Sequence, residues 1–222
     1  MVGIPVLTLV SSAALQPFVK DIFIILFTRL NGSKTEILVR RFIRFFYFLA
    51  GKEEFGPDFV IGTIDSVQSS IFGQLYLGIV LPDTQKLTQP VDRKIAVAGL
   101  TKLIGFSDGL AGTYHRAWPN TVMVLLKVLE LAPVLAKDDP VDLQAADIDD
   151  VSFGASFARL STCKKRAVDE FPEVVNSRKF VGEKLVEANT KTGGRLDSWI
   201  NDELSDDAKA LLKKYMASTG RV

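Results

Sequence analysis

A chain of 222 residues, 47% of them hydrophobic and with a formal net charge of +1, can bury one sizeable core or stack as a quasi-linear array of helix pairs, and is too apolar for wholesale disorder. The near balance of 27 Lys and Arg against 26 Asp and Glu gives no general attraction for nucleic acid. One cysteine, Cys163, excludes an internal disulfide framework and fits a reducing compartment.

The apolar stretch from Val6 to Leu15 lacks the basic flank of a signal peptide and is not read as one. The most apolar run, Phe18 to Leu30, is broken by Lys20, Asp21 and Arg29 and is too short to span a bilayer. It belongs to a first helix over about residues 12–30, with Pro17 near its first turn. Ile22, Phe23, Leu26, Phe27 and Leu30 recur at helical spacing and mark its buried face. Asn31-Gly32 offers positive φ at the helix end, and the glycosylation sequon it forms with Ser33 is read as turn chemistry. Ser33 with Glu36 forms a capping box that opens a second helix over about 34–50, ended by Gly51. Ile37, Leu38, Phe42, Phe45, Phe46 and Leu49 give that helix a wide apolar stripe, and Arg40, Arg41 and Arg44 share its other side.

Gly56-Pro57-Asp58 opens a third helix, which runs to about Ser69, with its aspartate near the positive end of the dipole. A fourth covers 71–87, and Pro82 inside it predicts a kink or a break. Pro90 opens a fifth helix that ends near Gly105. After a loop through Ser107-Asp108-Gly109, a sixth covers about 114–131, with Pro119 in its first turns and Pro133 as its stop. First helices of pairs thus start near 15, 57 and 90, and second helices near 34, 71 and 114. That spacing, on the order of 40 residues, is close to the HEAT/armadillo period. No strand alternation is present, so the fold class is all-α: stacked antiparallel helix hairpins of HEAT-like type, an α-solenoid.

The expected organisation is three hairpins over 1–136, an acidic loop over 137–151 and a helical C-terminal cap over 152–222. The loop carries Asp138, Asp139, Asp142, Asp147, Asp149 and Asp150, and Pro140 keeps it from forming a helix. Short helices follow at about 152–162, 173–190, 194–202 and 205–217, the last with Ser205 as N-cap.

No catalytic constellation is legible. His115 is the one histidine and has no partner pattern; Gly51-Lys52 is followed by Glu53 and lacks the upstream glycine of a phosphate loop. No Cys/His cluster suits zinc, and the aspartates of 138–150 lack the glycine-and-glutamate frame of an EF-hand. The expectation is a non-enzymatic chain with no cofactor, no metal, no nucleic acid and no membrane insertion. Two surface features remain. Arg40, Arg41 and Arg44, extended by Lys34, are either a solvated helix face or a surface for an acidic partner. Asp147, Asp149 and Asp150 are either part of a solubilising linker or a contact for a basic partner, acting through steering. Lys164-Lys165-Arg166 reads as a surface patch, and Trp118 and Trp199 read as core anchors.

Several ordered stretches carry a resemblance. Ile24 through Thr35 is similar to a hairpin of the exportin-2 family, the karyopherins that re-export importin-α. Lys94 through Leu103, Trp118-Pro119, and Asp147 to Asp150 followed by Phe157-Ala158-Arg159-Leu160 match further segments of that family in order. The similarity spans nearly the whole chain and corresponds to the C-terminal end of those much longer HEAT-repeat proteins. It implies a binding surface that contributes to holding importin-α and Ran-GTP, not a complete receptor, and shuttling between nucleus and cytoplasm. Under this reading, charge placement makes Arg40, Arg41 and Arg44 the expected inner-surface residues and Asp147, Asp149 and Asp150 the expected partner-facing loop. The alternative is a helical scaffold without a transport role.

Overall fold

The computed structural model describes residues 12–131 and 169–218, and every regular element among them is helical. The acidic loop, Cys163, Lys164-Lys165-Arg166 and the helix expected at 152–162 lie outside the described residues. Pro17 divides the first expected helix. Ser12–Leu15 is a single helical turn, Gln16–Phe18 a 3₁₀ turn, and α1 starts afresh as Val19–Gly32.

The turn that follows differs from the expected one. Gly32 stays inside α1 without positive φ, and Ser33 leaves the helix in extended geometry. Three non-helical residues reverse the chain, with Thr35 N–H donating to Ser33 O at 3.0 Å, so the cap of α2 (Glu36–Gly51) falls on Thr35, whose hydroxyl accepts from Leu38 N–H at 3.3 Å. The expected Ser33–Glu36 capping box is therefore not formed; the cap sits two residues later. The hairpin itself does form. Phe23 packs on Phe45 at 5.6 Å and Phe27 on Phe42 at 6.1 Å, so α1 positions rise as α2 positions fall and the helices run antiparallel. Val19, Phe23, Phe27 and Leu30 are buried, whereas Ile22 and Leu26 are half-buried, a narrower face than the periodicity suggests.

Helix α3 (Gly56–Val67) opens with Pro57 as expected. Its Asp58 does more than face its own dipole. The carboxylate accepts from Ser107 Oγ at 2.7 Å and from the backbone N–H of Asp108 and Gly109 at 3.0 and 2.9 Å. Those groups open α6 (Asp108–Ala111), a helical turn where a loop was expected. Helix α4 spans residues 71–86 as four joined pieces: Ile71–Leu75, a π turn at Tyr76–Val80, Leu81–Asp83 and a 3₁₀ turn at Thr84–Lys86. The expected break at Pro82 takes this form. The proline sits just after the π turn, where the shifted hydrogen-bond register tolerates its missing donor. The remaining elements are α5 (Pro90–Phe106), a 3₁₀ turn at His115–Ala117 that leads into α7 (Trp118–Glu130), α8 (Ser177–Lys191), α9 (Arg195–Glu203) and α10 (Asp206–Ala217). Ser205 occupies the N-cap of α10 without a side-chain capping bond.

The strongest packing in the fold is α2 against α5. Small residues allow it. A Cβ added at Gly99 would lie 2.7 Å from Tyr47 O and 2.9 Å from Tyr47 Cα, and Ala96 and Ala98 flank that point. Facing positions advance together, Arg44 with Asp92, Tyr47 with Gly99 and Glu53 with Lys102, so the two helices are parallel. On the far side of α5, Gly105 admits Ala188 of α8. Helices α2, α5 and α8 therefore form one row. A second row contains α4, α7 and α10. Phe72 meets Tyr114 at 4.8 Å just before α7, Tyr76 Oη and Thr121 Oγ1 are 3.0 Å apart, and Tyr215 of α10 hydrogen-bonds Glu130. Both α4 and α7 stand in the second row as expected. Helix α2, expected as the second member of a pair, stands instead beside α5 in the first row, and α3 lies across α1, α2, α4 and α5.

Candidate partner-binding surface

Arg40, Arg41 and Arg44 were expected to share one solvent face, and the structure splits them. Arg40 and Arg44, one turn apart, are half-buried and turn towards α5. Arg44 Nε lies 3.0 Å from Asp92 Oδ1, a contact without hydrogen-bond alignment. Asp92 is buried in the first turn of α5. Burial pushes its carboxyl up from the ordinary aspartate range, and the charges of Arg44 and then Arg40 pull against that shift. These two arginines therefore offset part of the cost of burying Asp92 between α2 and α5. Arg41, rotated about 100° around the helix, is the exposed member of the trio. Asp147, Asp149 and Asp150 lie outside the described residues.

Three features escaped sequence reasoning. The first is a clasp. Residues 169–174 return to the junction of α2 and α5, where Phe171 is 1% exposed and fills the notch left by Gly51. Lys94 Nζ pairs with Asp169 at 2.6 Å, and this bond holds the aspartate below its ordinary range. Lys52 donates to Glu170 O at 2.7 Å and lies over the rings of Phe48 and Phe171, 5.4 and 5.0 Å from their centroids. Glu170 is buried, and that burial raises its carboxyl more than Lys52 lowers it. The second is the contact between α9 and the start of α7. His115, without a partner in the sequence pattern, meets Glu203 at 2.6 Å and lies tilted against Trp199 with ring centroids 4.5 Å apart. Trp118 is fully buried and donates to Ile104 O at 3.2 Å, as a core anchor should, whereas Trp199 is only half-buried, with Arg195 over its ring. The third is an apolar groove in the second row. The sequence signal for the clasp is small: a glycine at 51 where a helix terminator would otherwise be read.

Among the described residues no group of His, Cys, Asp or Glu is arranged to hold a metal ion, and no helix is long and apolar enough to cross a membrane. What the arrangement offers is two rows of helices packed side by side. It defines a helical-repeat segment suited to binding other macromolecules. The sequence model of the family described as CAS/CSE protein, C-terminus, matches residues 5–215, and the chain belongs to that family. It is 36% identical over 217 residues to the importin-alpha re-exporter of Schizosaccharomyces pombe, covering 95% of this chain and 22% of that protein. It is 31% identical over 207 residues to exportin-2 of Xenopus laevis, covering 91% of this chain and 21% of that protein. The solved structure of the exportin Cse1 in its cargo-free, cytoplasmic state superimposes with a TM-score of 0.70 at 23% identity, over 95% of this chain and 21% of that one. The chain thus spans about a fifth of the length of the curated relatives it matches, and the shared architecture is that of an exportin's helical array.

Proposed function

We propose that this chain forms the C-terminal part of a nuclear export receptor that returns importin-α to the cytoplasm together with Ran-GTP, by non-catalytic binding. The observation that carries this reading is family membership across nearly the whole chain, with curated relatives named for importin-alpha re-export. The physical mechanism is clamping at many sites. Each helical layer contributes modest contacts, and the layers act together because they are joined in one array. When two partners favour the same closed array, each raises the affinity of the other by the same factor. Shuttling through the nuclear pore follows from such a role.

Within this segment, Arg41 is the arginine best placed to meet an acidic partner; Arg40 and Arg44 set the angle at which α2 presents it. Asp147, Asp149 and Asp150 are assigned to contact with a basic partner. The test uses a receptor of the relatives' length that contains this chain, immobilised and exposed to importin-α with and without Ran-GTP. GTP-dependent capture is expected. Capture that is absent or independent of GTP overturns the reading and leaves a helical scaffold. Arg41→Glu should weaken the ternary complex with the fold unchanged. Arg44→Glu would set a carboxylate against Asp92 and disturb the fold, so reversing all three arginines at once does not test binding alone.

A further inference from the structure

Two exposed large apolar residues line one groove from opposite walls: Leu77 of α4, 43% exposed, and Met123 of α7, 37% exposed. The groove has a volume of about 230 Å³. Buried Leu81 and Val124 form its floor, with Pro82 beside them, directly after the π turn of α4. Gln85 and Asn120 are its polar edges. Lys127 is the one charged residue of the lining; it is exposed and pairs with no carboxylate among the described residues.

We infer that this groove docks a short amphipathic helix of a partner protein, with an apolar ridge flanked by a carboxylate. Length sets the size of the occupant. The walls run from Leu77 to Gln85 and from Asn120 to Lys127, about 12 Å at 1.5 Å per residue, room for about two turns. A helix of that length presents three apolar side chains at i, i+4 and i+7, and the gap between two parallel helices receives such a ridge. Charge sets its polarity. The apolar walls reward a ridge without charge, and the Lys127 ammonium at one end, which meets no carboxylate among the described residues, rewards an acidic residue beyond it. A basic segment would instead meet like charge at Lys127. The inference does not depend on importin-α or Ran-GTP being the partner.

The test uses the whole chain and two fluorescein-labelled helical peptides with leucines at i, i+4 and i+7. The peptides differ only in carrying glutamate or lysine one turn beyond the last leucine. Fluorescence anisotropy should show the glutamate peptide binding at least fivefold tighter than the lysine peptide. Met123→Glu should weaken it at least tenfold, with helical circular dichroism unchanged because the side chain is at the surface. Lys127→Glu should invert the preference between the peptides. Equal binding of the two peptides, binding by neither, or binding that survives Met123→Glu overturns the proposal. So does a concentration-dependent dimer that Met123→Glu disperses, because it assigns the groove to a second copy of the chain.

Discussion

Gly99→Ala tests whether the close approach of α2 and α5 organises the stack. The added Cβ would meet Tyr47 O at 2.7 Å and Tyr47 Cα at 2.9 Å, whereas ordinary contact begins near 3.4 Å. Both neighbours are backbone, so no side-chain rotation relieves the clash, and the two helices must part by roughly 0.5 Å or more. Overpacking of this kind costs about 1–3 kcal/mol. Removing a glycine from a helix interior returns at most about 1 kcal/mol. The net expectation is a loss of about 1–2 kcal/mol, which lowers Tm by about 2–8 °C for a chain of this size. Gly62→Ala supplies the contrast. It lies inside α3 with nothing within 4 Å of an added Cβ, so only the propensity gain applies and stability should rise by about 0.5–1 kcal/mol. Urea unfolding followed by circular dichroism measures both variants. Opposite signs support the packing account. A Gly99→Ala variant as stable as the wild type, or more so, refutes it.

Other substitutions probe the clasp, the buried polar pairs and the titrating groups. Phe171→Ala should cost about 3–4 kcal/mol and speed amide exchange in α8, because a fully buried ring leaves the notch at Gly51; Phe171→Leu should restore most of that loss. Tyr47→Phe should cost about 1 kcal/mol in urea unfolding, since it removes the 2.7 Å bond to Thr84 while the Thr84 hydroxyl keeps its bond to Val80 O. Burial raises the Asp92 carboxyl in the folded state above its unfolded value, so its ionised form becomes a growing cost as pH rises through the window above the ordinary aspartate range. Asp92→Asn should therefore gain relative to the wild type as pH rises across that window; a relative loss contradicts the assigned cause. Glu187 has the opposite sign. Hydrogen bonds from Lys191 and then Lys184 hold its carboxyl down at about 2, so its contribution is present above the ordinary glutamate value near 4.5 and is lost as pH falls towards 2. Glu187→Gln should flatten the acid limb of a stability–pH curve slightly, because this pair is exposed to solvent.

Much of the helix inventory is local and so was readable. Pro57, Pro90 and Pro119 open helices because their fixed φ suits a first turn and their missing donor costs nothing there. The Phe stripes of α1 and α2 predicted that these helices bury against each other, and their rings interlock. The same local signals misled where a residue answers to a distant one. Gly51 reads as a helix terminator, yet it is empty so that Phe171, 120 positions later, can enter. Asp58 reads as a favourable charge at its own helix end, yet it caps the turn at Asp108. Arg40, Arg41 and Arg44 read as one stripe, and spacing alone cannot show that Asp92 draws two of them inward.

The sequence by itself determined that the chain is all-helical, where most helices begin, and to which family it belongs. These follow from backbone restrictions at proline and glycine, from apolar periodicity and from ordered matches along the chain. Only the tertiary structure decided which helices stand side by side. That choice depends on how closely backbones can approach, and Gly99 against Tyr47 and Gly105 against Ala188 set it through contacts that no local pattern encodes. The same step decided which charges turn inside the array, as Arg44 does towards Asp92, and which stand at its surface, as Arg41 and Lys127 do.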